Sequence, residues 1–187
     1  MPIQSFADIA FTPNVKALQE AAGSRTSYAR MEGAGGNLGP REWAFISERD
    51  SFYMASVSET GWPYVQHRGG PAGFLKVVDR NTIGFADFQG NKQYVSTGNL
   101  MNDDRVSLIL VDYPNRQRLK LLGHVRFVNA ESSPDDQAIL DKLSLPNYRA
   151  RVERGVLINV AALDWNCPQH ITPRYTAEEI AAASAKQ

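Results

Sequence analysis

A short run of residues after an apolar, β-prone segment combines groups that proteins use to hold an anion. In "IGFADFQGNKQYVSTGNL", Gly90 permits close backbone approach, Asn91 can cap or donate, and Lys92 carries a cation. We expect a helix over Lys92–Asn99, whose first turn would place the lysine beside the positive end of the helix dipole. A bound phosphate would turn this repulsion into attraction, because dipole and ammonium would share one anion. The alternative is an exposed lysine without a ligand.

A second polar segment could supply a cation to the same anion. "QHRGG" starts at Gln66 and His67, and its arginine, Arg68, precedes the flexible Gly69. A guanidinium can contact phosphate through two parallel N–H groups. The alternative is an arginine that faces water at the end of a strand.

A third feature is a row of basic side chains in "RQRLKLLGHVR". Strand alternation predicts that they share one face, opposite a face of apolar residues. Like charges in such a row repel each other unless an anion or partner carboxylates lie opposite, although a solvated exterior is the alternative. The row consists of Arg116, Arg118, Lys120, His124 and Arg126.

The elements that must position these residues are mostly short strands. Runs rich in aromatic and β-branched residues are separated by Gly, Pro, Asn and Asp turns, which indicates a mainly β antiparallel Greek key closed as a barrel, with flanking helices. The predicted strands are "SFYMASVS", "PYVQHRG", "GFLKVVD", "TIGFADF", "RVSLILVDY", "RQRLKLLGHVRFVN" and "GVLINVAALDW". Helices are expected over Thr12–Ala29, "GPREWAFISERD", "SPDDQAILDKL" and the tail "TAEEIAAASAKQ".

These elements suggest three parts: residues 1–40 as a helical extension with a glycine-rich loop, 41–175 as the barrel, and 176–187 as a tail helix. The loop "MEGAGGNLG" resembles a dinucleotide fingerprint only superficially, because its glycines are spaced wrongly and no strand precedes it, so we interpret it as a mobile loop.

The composition excludes several classes of protein. Twenty Lys+Arg balance twenty Asp+Glu among 187 residues, so there is no basic field for nucleic acid. No apolar run reaches the ~20 residues of a membrane span, and the N-terminus lacks the pattern of a signal peptide. A single cysteine excludes an internal disulfide framework. We therefore expect a cytoplasmic protein.

Other chemistry has weaker support. Cys167 and His170 form a "CPQH" cluster, but two ligands without companions make a poor zinc site, so we predict no metal. A redox role for Cys167 would need a lowered pKa and exposure. No Ser/His/Asp arrangement for nucleophilic hydrolysis stands out.

The order of these segments resembles the pyridoxamine 5'-phosphate oxidase-like flavoproteins, especially the oxidase-related FMN-binding branch. The likeness runs from about Trp43 to Arg174, through "FYMASVSETGWPYVQHRGGPAGFLKVVD", "TIGFADFQGNKQ", "NDDRVSLILVD", "RLKLLGHVRFV" and "DWNCPQHITPRY". The resemblance implies a split β-barrel of the FMN-binding type. It also implies a homodimer with two FMN molecules at the subunit interface and a small-molecule substrate or electron donor.

The resemblance also assigns residues by position. Lys92 matches the lysine that ends the phosphate-binding segment, Asn91 replaces the usual arginine, and Arg68 would supply the missing cation. Lys76 matches a lysine whose paired arginine is here Pro71. The full set of implied cofactor-binding residues is Gln66, His67, Arg68, Gly69, Ala86, Asp87, Gly90, Asn91, Lys92, Arg118, Trp165, Gln169 and Arg174.

The needs of FMN agree with these assignments. Its phosphate needs cations, its flat ring needs an apolar wall, and its ring nitrogens and O2 need donors. Phe85, Phe88 and Trp165 are candidates for the wall, and the backbone N–H groups near Arg68–Gly69 and Ala86–Asp87 for the donors. The catalytic residues are unknown, with His170 as the only candidate.

The activity expected is FMN-dependent transfer of hydride or electrons. The oxidase activity itself is not expected. The oxidases of this family carry an arginine and a histidine near the C-terminus, two residues apart, that clamp the substrate, whereas His170 and Arg174 are four residues apart. A flavin carrier or sensor without turnover, and a haem- or deazaflavin-binding relative, are the alternatives.

Overall fold

The computed structural model describes residues 3–129, 133–145, 148–165 and 167–185, and within them eight strands form one sheet. The strands are β1 (Gln4–Ser5), β2 (Ser51–Val57), β3 (Pro63–Gly69), β4 (Lys76–Val77), β5 (Thr82–Phe88), β6 (Arg105–Asp112), β7 (Gln117–Val128) and β8 (Val152–Trp165). Their order is β3-β2-β6-β7-β8-β5-β4, with antiparallel neighbours, while β1 lies parallel to β8. The mainly β, antiparallel split-barrel prediction is confirmed.

Seven helices flank this sheet within the described ranges. They are α1 (Phe6–Ala10), α2 (Pro13–Ala21), α3 (Arg25–Ala29), α4 (Pro40–Ser47), α5 (Val95–Asn102), α6 (Pro134–Leu143) and α7 (Ala177–Ser184). None of the helices in these ranges combines the length and the apolar character of a membrane span.

The N-terminal region differs from the predicted single helix. Thr12 caps α2 as expected, but the helix ends at Ala21 because Gly23 takes a left-handed φ of 69°, and α3 begins only after it. The glycine-rich loop is held in place rather than free: Ile3 and Gly36 form a β-bridge, and the Ser5 hydroxyl donates to the carbonyl of Met31. The strand β1 and the helix α1 are too short to carry a periodic signal.

The core lies inside the curved sheet and is filled by alternate residues of its strands. In β2 the inward residues include Phe52 and Met54, each about 1% exposed. The ring of Phe52 stacks on Phe74 at 5.6 Å and meets Phe85 edge-on at 5.3 Å. Full burial of such side chains contributes about 1.5–3 kcal/mol each, so this aromatic cluster is a main source of barrel stability.

The barrel is split between β3 and β5. Among the strands of the described ranges, β3 pairs only with β2. The predicted strand "GFLKVVD" shrinks to the two residues of β4, which reach only Ile83 and Gly84 of β5. From Phe85 to Phe88 the far edge of β5 therefore has no strand partner among the described residues. Unpaired strand edges present free N–H and C=O groups, so the split is lined by backbone donors and acceptors.

Candidate functional site

Two neighbouring cavities occupy the split between β3 and β5, which we call the cleft. The larger has about 180 Å³ and is lined by the ends of both strands, Gln66, His67, Arg68, Gly69, Phe74, Phe85, Ala86, Asp87, Phe88 and Gly90. The smaller has about 80 Å³ and extends toward α5 along Gly90, Asn91, Lys92, Gln93 and Tyr94. Nine of the thirteen predicted cofactor-binding residues therefore line one continuous region of the surface.

An ion pair spans the cleft. Arg68 Nη1 donates to Asp87 Oδ1 at 2.6 Å, and the two side chains are only 16% and 8% exposed. The guanidinium also lies over the Phe85 ring, 5.7 Å from its centroid. Its Nε is buried without a hydrogen-bond partner among the described residues. A buried donor without an acceptor costs about 1–3 kcal/mol, so Arg68 offers an N–H that a ligand oxygen could satisfy.

Asp87 also interacts with the neighbouring strand. It pairs in register with Arg154 of β8, whose Nε lies 3.6 Å from Asp87 Oδ2. The Arg154 guanidinium contacts Glu153 at 3.3 Å and lies over the ring of Tyr94. The hydroxyl of Tyr94 donates to Glu153, and this hydrogen bond, aided by burial, raises the pKa of Tyr94 above its ordinary value of 10.0. A chain of charged groups thus connects the cleft to the loop before α5.

The predicted position of Lys92 in a first helical turn is wrong. α5 begins at Val95, and both Lys92 and Tyr94 have left-handed backbone angles, with φ of 60° and 53°. Asn91 shapes this turn, because its side-chain oxygen accepts from the N–H of Gln93 at 3.1 Å. Lys92 is exposed and forms no ion pair with any described residue. Its ammonium therefore remains available at the rim of the smaller cavity.

Strand alternation explains which side chains enter the cleft. In β3 the residues Tyr64, Gln66 and Arg68 are half-buried and alternate with exposed residues. Gln66 accepts from the hydroxyl of Ser96 at 2.6 Å and so fixes the start of α5 against β3. His67 points to the outer face, where its ring meets that of Tyr53.

The aromatic wall differs from expectation. Phe85 is 2% exposed and belongs to the core, so it forms the floor of the cleft rather than a free wall. Phe88 is half-buried and lines both cavities. Of the three aromatic residues predicted for the wall, it is therefore the one whose side chain borders the open space of the cleft.

Three of the five residues in the predicted basic row have carboxylate partners. Lys120 Nζ lies 3.7 Å from a carboxylate oxygen of Asp164. His124 and Arg126 are paired with other carboxylates, those of Asp104 and Asp136. Arg116 lies in the turn before β7, with a φ of 52°. Partner carboxylates, one of the two predicted ways to balance this row, are therefore present for Lys120, His124 and Arg126.

The remaining predicted residues lie outside the cleft of their own chain. Trp165 packs on α4, where its Nε1 donates to Glu42 at 2.7 Å and Arg41 covers the ring at 3.9 Å. Arg118 lies on β7, where it pairs in register with Val111 of β6. Its Nε is buried and has no hydrogen-bond partner in the described ranges. Gln169 and His170 are exposed, and the guanidinium of Arg174 lies over the Tyr113 ring. Their role in a cofactor site stays a prediction.

Metal ions in proteins are held by sets of converging ligands such as His, Cys, Asp and Glu side chains. Within the described ranges, no group of three or more His, Cys, Asp or Glu side chains could hold a metal ion. Cys167 is a free, exposed thiol.

Comparison with known proteins agrees with the fold. The family model for pyridoxamine 5'-phosphate oxidase matches residues 40–160. The chain belongs to this family. The matched range starts at α4 and runs into β8, so it contains both walls of the cleft and Arg154.

Solved structures show the same fold at low sequence identity. A variant of HupZ from Group A Streptococcus is 12% identical, with a TM-score of 0.52, covering 69% of this chain and 99% of that one. A protein of Lactobacillus delbrueckii, provisionally named a pyridoxamine 5'-phosphate oxidase, is 19% identical, with a TM-score of 0.51, covering 68% of this chain and 93% of that one. No curated protein matches the chain.

Within this pyridoxamine 5'-phosphate oxidase fold, several cleft residues had no clear sequence signal. Glu153 and Arg154 lie near the start of β8, and only the register between β5 and β8 brings Arg154 opposite Asp87. Tyr94 stood inside a predicted helix, so its position on the rim was not visible. The alternation of "PYVQHRG" could have indicated Tyr64, because it shares the face of Arg68.

Proposed function

We propose that the chain binds FMN in the cleft and acts as an FMN-dependent oxidoreductase on a small substrate. The observation that carries this proposal is the buried Nε of Arg68, which has no hydrogen-bond partner among the described residues and lies in the split between β3 and β5. Membership of the pyridoxamine 5'-phosphate oxidase family supports a flavin rather than another anion.

The smaller cavity fits the phosphate. Arg68 and Lys92 bring cations to it from two sides, and the backbone at Gly90 leaves room. A Cβ added at Gly90 would meet no atom within 4 Å, so open space lies against this glycine. A phosphate held there would satisfy the Arg68 Nε and give Lys92 the counter-ion that it lacks among the described residues.

The larger cavity fits part of the flat ring. Phe88 supplies an apolar surface, and the free edges of β3 and β5 supply backbone donors for polar ring atoms. When bound, FMN supplies the hydride and electron transfer, while the chain binds it, orients it and tunes its electronics.

The absorbance spectrum of the purified protein, followed by extraction and mass measurement of any ligand, tests this proposal. A flavin spectrum with the mass of FMN is expected. A haem or deazaflavin spectrum would instead favour the alternative of a haem- or deazaflavin-binding relative. A colourless protein that does not bind added FMN would contradict the proposal. Turnover with NADH or NADPH and oxygen or a dye would separate an oxidoreductase from a carrier.

Lys92→Ala is expected to weaken FMN binding by about 1.5 kcal/mol, the lower end for a hydrogen bond to a charged group, because the ammonium is exposed. Flavin fluorescence titration measures the change. Lys142→Ala is the matched control, since Lys142 is an exposed residue of α6 that lines neither cavity. Equal affinities for wild type and Lys92→Ala would remove Lys92 from the phosphate site.

We also propose that the protein forms a homodimer through the outer face of β2 and β3. Cross-strand pairs on this face expose Tyr53, Val57 and Val65, with Val65 61% exposed. The face carries apolar side chains beside an open cleft, and a second copy would cover both. Such a dimer also gives Trp165, Gln169, His170 and Arg174 a route to the partner's cleft, as the family resemblance implies.

Val65→Arg is expected to convert the dimer to a monomer and to weaken FMN binding, because it places a charge in the middle of the apolar face. Light scattering measures the mass. Leu18→Arg is the matched control, since Leu18 is 72% exposed on α2, outside this face. A wild-type monomer that still retains flavin would overturn the dimer proposal.

A further inference from the structure

The ion pair between Arg68 and Asp87 stands where the two cavities of the cleft meet. Both cavities share the residues Gln66, Arg68, Asp87, Phe88 and Gly90. Their volumes of about 80 and 180 Å³ are each smaller than the ~300 Å³ at which small-molecule pockets begin. A ligand with a phosphate at one end and a ring at the other would have to pass this pair.

The charges around the smaller cavity are already balanced. Its lining holds two cations, Arg68 and Lys92, and two carboxylates, Asp87 and Glu153. A phosphate dianion that entered this cavity would meet two carboxylates as well as two cations in the lining, while Arg154, outside the lining, contacts both carboxylates. Glu153 is engaged by Arg154 and Tyr94. Asp87 is the carboxylate that directly occupies Arg68.

Asp87 has a second cation within reach. Arg154 lies across the β5–β8 ladder, with its Nε 3.6 Å from Asp87 Oδ2 and buried without a hydrogen-bond partner in the described ranges. If the hydrogen bond between Asp87 and Arg68 broke, the Asp87 carboxylate would still lie beside the Arg154 guanidinium. The carboxylate could therefore change partners without becoming an isolated buried charge, whose cost would be prohibitive.

We propose that Asp87 determines the specificity of the cleft as a built-in counter-ion, which the ligand phosphate displaces from Arg68. This inference rests on the proposed binding of FMN. The phosphate of FMN would approach a guanidinium that Asp87 already holds through Nη1, whereas riboflavin, which lacks the phosphate, leaves the pair in place. Asp87 thus lowers the affinity for phosphorylated ligands and keeps Arg68 paired when no ligand is present.

The test compares FMN and riboflavin binding to Asp87→Asn by fluorescence titration. FMN affinity is expected to rise about tenfold, because a carboxylate that competes with and repels the phosphate is gone, while riboflavin affinity changes less than about threefold. Asp104→Asn is the matched control, because it makes the same change in net charge at an exposed residue paired with His124. In an Arg68→Gln background the competition for Arg68 is absent, so only the part of the gain that comes from direct repulsion between Asp87 and the phosphate should remain.

Two results would overturn the proposal. A lower FMN affinity in Asp87→Asn would mean that the carboxylate orients Arg68 in the complex. Equal gains in affinity for FMN and riboflavin would mean that the effect of Asp87 does not depend on the phosphate. If the variant does not fold, the side-chain carboxyl resonance of Asp87 in wild-type protein serves instead. It should shift with FMN and not with riboflavin, and an unchanged resonance in saturating FMN contradicts displacement. Wild-type protein that binds neither flavin would refute the proposed function itself.

Discussion

Arg68→Gln is expected to lower the affinity for FMN by about a hundredfold. The change removes the guanidinium that can donate two charge-assisted hydrogen bonds to phosphate, each contributing about 1.5–3 kcal/mol. It also leaves Asp87 in the cleft without its nearest cation, so the carboxylate then repels the phosphate. Fluorescence titration of FMN and riboflavin measures the effect, which should fall mainly on FMN.

Arg80→Gln is the control for this substitution. Arg80 is an exposed residue of the turn before β5, so the variant changes net charge equally without touching the cleft. A ratio of FMN to riboflavin affinity that stays at the wild-type value in Arg68→Gln would show that Arg68 does not contact the phosphate. Circular dichroism should confirm that both variants keep the β-rich fold.

Phe85→Ala is expected to lower the free energy of unfolding by about 3–5 kcal/mol, the range for removing a buried aromatic side chain. Phe85 is 2% exposed and holds Phe52 and Phe74 together beneath the cleft. Its loss would leave a cavity under the open edge of β5, where β4 gives no support. Urea denaturation of the protein without ligand measures the change.

Phe88→Ala on the same strand is the matched control for stability. Phe88 is half-buried and packs at 4.9 Å on Tyr148, so its removal should destabilise the fold less and weaken FMN binding more. If Phe85→Ala were as stable as wild type, the aromatic cluster would not be the foundation of the cleft. If the two variants exchanged their effects, the floor and wall assignments would be reversed.

The fold was predictable because its strands carry strong local signals. Alternating and apolar runs marked all the longer strands, and turn residues separated them, as in "ETGWP" between β2 and β3. The short elements escaped prediction, since β1 and β4 have two residues each and depend on their neighbours for pairing. The helix from Thr12 was overextended because a single glycine, Gly23, is enough to end it.

The sequence indicated which segments of the cleft carry anion-binding groups, and it did not indicate how their side chains pair. "QHRGG" and "QGNK" both indicated anion binding, and the structure brings them to one cleft. The partner of Arg68 could not be inferred, because Asp87 reaches it only across the split of a barrel. The turn at Lys92 was misread as helix, since no local propensity marks a left-handed lysine.

That left-handed lysine has a consequence for protein engineering. A non-glycine residue in this conformation costs about 1–2 kcal/mol, so Lys92→Gly would relax the backbone and make the protein more heat-resistant. The same change would delete the ammonium at the rim of the cleft. Directed evolution that selects for thermal tolerance alone would therefore favour variants that survive heating and, on the proposed function, bind FMN less tightly.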